Sequence, residues 1–266
     1  MGMVVWYSLS AKIEISSSSL KALEVISFAE RRTRLQVEAM NLESLGVGGK
    51  ADKARSCSWY DIDFASCGQL RNLELFGAIF KGVCVKEFRS RFPLLESLIF
   101  YSCYFGEHIE LVSQHLKRFV LGRCKSIKNA IIDTPNLRSF WFDGPTDKCT
   151  FCVDAPKLSK TTIITGDDWW PWNYSICNFL ANLASSEKVT LYAEYPPVYM
   201  CIQLFSSSLL IPEQYTYWRP PLPSVKHLEF EVALDLKEPS CGMATLGDDR
   251  GGGLVVFNFC VDRAMF

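Results

Sequence analysis

An α/β solenoid with a curved parallel β-sheet on its concave side, and short helices and irregular turns on its convex side, is predicted by three features of the sequence. An apolar pattern recurs at constant spacing, prolines punctuate it at a fixed offset, and no single unit is large enough to bury its own apolar edge. Leu95, Leu98, Phe100 and Cys103 fall at positions 1, 4, 6 and 9 of a short unit, and Leu116, Phe119, Leu121 and Cys124 repeat them. Leu137, Phe140 and Phe142 follow, then Leu158, Thr161 and Ile163, with Thr at the second anchor. The starts at 95, 116, 137 and 158 keep a spacing of 21 residues. The expectation is therefore a solenoid of the leucine-rich-repeat type.

Weaker copies flank these four. Leu20, Leu23 and Val25, then Leu42, Leu45 and Val47, then Leu70, Leu73 and Leu75 precede them. Val189 with Leu191, and Val225 with Leu228 and Phe230, come after. The organisation read from this is an N-terminal segment over 1–19, repeats over 20–232 and an irregular tail over 233–266.

Pro93, Pro135, Pro156 and Pro223 each stand two residues before a repeat start. Proline cannot continue a helix and biases its predecessor to extended geometry, so it suits the stop between a convex segment and the next strand. Asp133-Thr134-Pro135-Asn136-Leu137 and Asp154-Ala155-Pro156-Lys157-Leu158 are near copies.

Positions 4 and 6 alternate along a strand and point into a shared core. Position 9 is where the side chain can satisfy backbone groups in the turn leaving the strand. The convex side should carry helices, and Ile176, Phe179, Leu180 and Leu183 have the spacing of one. Positions 5 and 7 then face away from the core. They supply Glu74, Ile99, Val120, Trp141 and Thr162, and Phe76, Tyr101, Gly122, Asp143 and Ile164. Exposed on adjacent strands, these would form an apolar ladder larger than a plain soluble surface tolerates, which makes the concave face the expected partner-binding site. A second candidate is the aromatic patch Trp169, Trp170 and Trp172, which follows Asp167 and Asp168 and suits an interface anchor.

Composition narrows the function. Of 266 residues 48% are hydrophobic and 13% aromatic, which excludes general disorder. With 28 basic and 29 acidic side chains, the chain has no electrostatic basis for binding nucleic acid or an anionic membrane, so neither is expected as a partner. The uncharged runs Trp169–Ser186 and Tyr195–Pro212 carry too many Asn, Gln, Ser and Pro residues to read as membrane spans. The odd total of 11 cysteines cannot all pair internally. Reduced thiols and no recognisable export signal place the protein in the cytoplasm or nucleus.

Catalysis finds little support. Cys149-Thr-Phe-Cys152 is one CxxC without a second pair or a nearby His, so it reads as a repeat-edge loop with no metal. Gly46-Val47-Gly48-Gly49-Lys50 lacks the flanking residues of a phosphate loop, with Ser44 and Ala51 in their places, and reads as a flexible loop. His108, His115 and His227 have no ligand spacing, and no nucleophile–base set is suggested. Asn173-Tyr174-Ser175 matches a glycosylation sequon that matters only on export, and Arg31-Arg32-Thr33-Arg34 reads as a solvated basic face. No cofactor is implied.

The segments at 132–140 (Ile-Asp-Thr-Pro-Asn-Leu-Arg-Ser-Phe) and 153–158 (Val-Asp-Ala-Pro-Lys-Leu) resemble the plant F-box/leucine-rich-repeat proteins, especially their FBD-associated branch. Phe92-Pro93-Leu94-Leu95-Glu96-Ser97-Leu98, ending at Cys103, is similar to that family's strand-entry segment. The resemblance covers roughly 20–232. It implies the substrate-recognition repeats of a cullin-type (SCF) ubiquitin ligase subunit, a non-catalytic protein-binding module. In such proteins an F-box docks a Skp1-like adaptor. Residues 1–20 lack the helical, Leu-Pro-rich F-box segment, so adaptor docking is not expected of this chain. The alternative expectation is a truncated relic or structural fragment with no ligand of its own.

Overall fold

The computed structural model describes residues 2–7, 12–27, 33–48, 59–63, 66–80, 91–144, 149–165, 183, 186–194, 227–235 and 252–260. The chain is a parallel β-solenoid of about six turns, each of about 21 residues. It divides into two compact units, Met1–Gly144 with Lys148–Leu158, and Pro145–Asp147 with Ser159–Phe266.

In the first unit the main sheet is built from β1 (Gly2–Tyr7), β3 (Ala22–Ser27), β5 (Ser44–Gly48), β7 (Asn72–Phe76), β8 (Ser97–Tyr101), β10 (Arg118–Gly122) and β12 (Ser139–Asp143). All pair in parallel, in that order. The repeat anchors stack in register. Position 4 runs Leu23, Leu45, Leu73, Leu98, Phe119, Phe140, and position 6 runs Val25, Val47, Leu75, Phe100, Leu121, Phe142. Leu98, Phe119 and Phe140 are wholly buried in this one sheet.

The convex helices expected from the repeat class are not seen. Almost no helix occurs among the described residues, and the return path of the rungs is itself β-structure. β2 (Lys12–Ser16), β4 (Thr33–Glu38) and β6 (Trp59–Asp63) form one three-stranded parallel sheet. β9 (His108–Val112), β11 (Asn129–Asp133) and β13 (Thr150–Asp154) form another. These segments alternate apolar and polar residues. Ile109 and Leu111 are buried while His108 is exposed, and Ala130 and Ile132 are buried while Asn129, Ile131 and Asp133 are exposed. A period of two fits a strand with one buried face, not a helix. The core lies between the sheets. Phe140 and Phe142 of β12 meet Phe151 of β13, with ring centroids 6.1 and 4.9 Å apart.

Two corners recur from rung to rung. Before the main strand, the position-1 N–H donates to the carbonyl three residues back. Leu42 does so to Ala39, Leu70 to Cys67, Leu95 to Phe92, Leu137 to Thr134 and Leu158 to Ala155, at 2.9–3.2 Å. Pro93, Pro135 and Pro156 occupy the second residue of this turn, where a fixed φ is favourable and no N–H is needed. After the strand, position 8 turns through the left-handed region, with Gly77 at φ 70°, Ser102 at 53° and Arg123 at 48°. Position 9 then places Cys103 Sγ to donate to Leu75 O at 3.2 Å and Cys124 Sγ to Gly122 O at 3.3 Å. The Cys124 bond meets a carbonyl at the end of its own strand, as expected of position 9, whereas the Cys103 bond reaches back to the preceding strand β7.

In the second unit, β14 (Lys160–Thr165), β15 (Lys188–Glu194) and β16 (His227–Asp235) pair in parallel, and β17 (Gly252–Cys260) returns antiparallel along β16. Thr161, the one polar core anchor, is wholly buried, and its hydroxyl meets that of Ser186 at 2.5 Å. The partnered hydroxyl explains how an apolar position tolerates Thr. Of the expected helix at 176–183, only Leu183 is described, and it is buried.

Candidate functional site

The outward face of the main sheet in the first unit gathers the residues predicted for partner binding. Positions 5 and 7 alternate with the buried anchors, so the strands that bury Leu98, Phe100, Phe119 and Phe140 turn these residues away from the core. Glu74, Ile99, Val120 and Trp141 stand in register on four successive strands, and so do Phe76, Tyr101, Gly122 and Asp143. Thr162 and Ile164 belong to the second unit, opposite Thr190 and Tyr192 of β15.

The face is less open than the sequence implies. Glu74, Phe76, Tyr101 and Trp141 are half-buried, but Ile99, Val120 and Asp143 are buried, as is Thr162 in its own unit. Ile99 and Val120 have a ladder neighbour on each side and ring-bearing residues two positions along or one strand away. A strand spacing of about 4.8 Å leaves short side chains in the shade of such neighbours. The apolar ladder therefore presents its aromatic members and withholds its aliphatic ones.

Those aromatics are arranged around a glycine. A Cβ on Gly122 would lie 2.4 Å from Tyr101 Cδ2 and 2.6 Å from Trp141 Cζ3, so only glycine lets the two rings close over β10. The ring centroids are 6.3 Å apart with planes 29° from parallel, and Phe76 continues the row 5.9 Å from Tyr101. A second glycine contributes in the same way. A Cβ on Gly48 would meet Phe76 Cβ at 2.9 Å. The Gly46–Gly48 stretch therefore lies in strand β5 beside this aromatic row, which corrects the expectation of a flexible loop there; Gly49 and Lys50 lie outside the described residues.

Charge is added at one end of the row. Arg123 leaves β10 in the left-handed turn, and its Nε donates to Asp143 Oδ2 at 3.0 Å. Asp143 is 10% exposed at its side chain and Arg123 61%, so a sheltered carboxylate anchors a guanidinium that reaches water. The Arg123 Cζ stands 6.0 Å from the Tyr101 ring centroid, at the outer limit of a cation–π contact. Sequence reasoning placed Tyr101, Trp141 and Asp143 on this face but missed Arg123. Its turn position gives no period-two signal, and only the backbone bend brings it beside Asp143.

Other candidates separate from this face. Trp169, Trp170 and Trp172 lie outside the described residues. Cys149 lies just before β13, half-buried, and Cys152 stands exposed in the middle of that strand. Burial pushes the Cys149 thiol up to about 12, which removes thiolate chemistry at neutral pH. Among the described residues no group of three His, Cys, Asp or Glu side chains could hold a metal ion, and no helix is long and apolar enough to cross a membrane. No protein-family model, no curated protein and no solved structure matches the chain.

Proposed function

We propose that the chain is a non-catalytic binding module that holds a protein target against the outward face of its main sheet. One observation carries this reading: Tyr101, Trp141 and Arg123 converge around Gly122, with Asp143 holding the guanidinium. Tyr, Trp and Arg are the residue types that dominate binding energy at protein interfaces. Rings braced by their neighbours and an anchored guanidinium lose little freedom when a partner arrives, so more of the contact energy becomes affinity.

The finer reading, a substrate-recognition segment of an SCF-type ubiquitin ligase, rests on the resemblance of 92–103, 132–140 and 153–158 to F-box/leucine-rich-repeat proteins. In that setting the target is a protein marked for ubiquitin transfer, and the outward face sets which target is held.

Affinity capture on the immobilised chain, quantified by mass spectrometry, tests the proposal. Wild type is compared with Tyr101→Ala/Trp141→Ala and with Ile131→Ser, whose site lies exposed on the second sheet. The expected result is a set of proteins lost with the double variant and kept with the control, while all three chains melt cooperatively. Equal capture by all three, or no specific protein at all, rejects the outward face and favours a fragment without a ligand. A Skp1-like adaptor in the wild-type set supports the ligase reading.

A further inference from the structure

Charge in the first unit is divided between the two sides of its rungs. The segments that hold β7, β8, β10 and β12, over 70–80, 95–105, 116–126 and 137–144, carry six Lys or Arg side chains and three acids. The segments that hold the return strands β9, β11 and β13, over 107–113, 128–134 and 149–155, carry four acids and one Lys. The chain as a whole is balanced, at 28 basic and 29 acidic side chains, so the surplus is a property of the side that bears the aromatic row.

That surplus is concentrated on one rung. Lys117, Arg118, Arg123 and Lys125 lie on or beside β10, which has no acid of its own. Two of the three acids nearby are already engaged, Glu96 with Arg71 and Lys117, and Asp143 with Arg123. Arg118 and Lys125 are exposed, and among the described residues neither forms an ion pair. By alternation Arg118 shares the outward side with Val120 and Gly122, and it stands in register between Ser97 and Ser139, whose short side chains leave it uncovered. Lys125 follows the bend, bridged to Tyr104, which is 43% exposed. One unengaged cation therefore precedes the Tyr101 and Trp141 rings along the rung, and another follows them.

Given that the outward face is the binding site, we propose that its partner offers an acidic, extended protein segment, with an apolar side chain resting on the Tyr101 and Trp141 rings and a carboxylate to either side reaching Arg118 and Lys125. In an extended chain, residues two apart point the same way, so a run of acid-x-apolar-x-acid turns all three groups toward the face. Four residues of strand span about 13 Å, both from Arg118 to Gly122 and between the two acids of such a run. Complementary charge speeds the encounter and disfavours basic partners, while the rings supply the apolar contact. A nucleic-acid strand fits less well. Its phosphates call for cations on each rung that it crosses, whereas Ser97 and Ser139 flank Arg118, and Glu74 lies two strands from Val120.

Panning a phage-displayed library of random dodecapeptides on the full chain, followed by titration of the recovered peptides in solution, tests this. The expected peptides are enriched in Asp and Glu at that spacing about an apolar residue. Their affinity should fall about fivefold with Arg118→Glu and with Lys125→Glu, and should weaken as salt is raised. Lys12→Glu, exposed on β2, should leave it unchanged. Cooperative melting of each variant keeps folding out of the comparison, and either reversal alone suffices. Peptides lost with Tyr101→Ala/Trp141→Ala but without an acidic bias overturn the proposal and leave the outward face as the binding site. Peptides that bind the double variant as well as wild type reject the face itself. A library that yields no peptide, or acidic peptides indifferent to both charge reversals, also overturns the proposal. So does tighter binding of oligothymidylate than of any peptide, or self-association of the chain relieved by Arg118→Glu, which would seat the acidic return strands of a second copy there.

Discussion

Tyr101 and Trp141 stack across a strand that places no side chain between them, because Gly122 is the residue on β10 at that point. Gly122→Ala puts a methyl within 3 Å of both rings and forces them apart. The expected cost is about 1–3 kcal/mol, as for other overpacked sites, read from a chemical denaturation curve. The same variant should weaken target capture more than its stability loss explains, because the rings it displaces are those assigned to the partner.

Thr134 and Ala155 hold the same corner on adjacent rungs, in the near-copies that precede Leu137 and Leu158. Both are buried, but the Thr134 hydroxyl has no hydrogen-bond partner. A buried polar group without a partner costs about 1–3 kcal/mol. Thr134→Val keeps the shape and removes the hydroxyl, so it should raise stability by about 1 kcal/mol in equilibrium unfolding. A loss of stability would show that the hydroxyl is hydrogen-bonded in solution.

Phe119 sits at the centre of the anchor row, stacked 5.7 Å from Phe140 and edge-on to Phe100 at 6.3 Å. Phe119→Ala should cost about 3–5 kcal/mol, from lost burial and from the cavity left in a stack that cannot collapse. Loss of cooperativity in the unfolding transition would accompany it if each rung depends on its neighbours.

Glu96 accepts from Lys117 Nζ at 2.6 Å and from Arg71 Nη1 at 2.7 Å, which ties three rungs together. The Lys117 hydrogen bond, opposed by some desolvation and helped by both positive charges, holds its carboxyl below the ordinary 4.5. A carboxyl depressed in the folded state stabilises fully above its unfolded value, and that stability fades as pH falls through the folded value. Melting temperature should therefore fall from about pH 5 downward, and fall less steeply in Glu96→Gln. Added salt should narrow the difference, because all three side chains reach solvent.

Cys152 is exposed on β13, whereas Cys149 is half-buried with its thiol pushed up to about 12. Cys67 and Cys103 are buried, and burial also raises the thiols of Cys67 and Cys124. Brief alkylation of the folded chain near neutral pH, followed by peptide mapping, should mark Cys152 ahead of these four. Denaturant should abolish the order.

The main sheet was legible in the sequence because its anchors are large. Leu98, Phe119 and Phe140 repeat a bulky apolar residue at one spacing, and the weaker copies at Leu23, Leu45 and Leu73 proved to be strands of the same sheet. The return strands were written at the same spacing, in Ile109, Ala130 and Phe151, but their anchors change size from rung to rung and the expectation of helices hid them. The outward face was legible as a set of residues and not as a surface. Periodicity gives the side of the sheet, whereas Ile99 and Val120 are covered by the bulk of their neighbours. The Arg123–Asp143 pair depends on a left-handed turn after β10, which no alternation pattern encodes.

The carbonyl of Glu96 receives the N–H groups of Lys117 and Arg118, and that of Lys117 receives those of Arg138 and Ser139, so each rung offers its successor an identical socket. Length can therefore change cleanly only by integers. Loss or duplication of a whole rung rejoins matching sockets, whereas one stray residue within a strand puts every anchor beyond it on the wrong side. A chain that gains or loses one whole rung should therefore still fold, and the length of its outward face is set by the number of rungs.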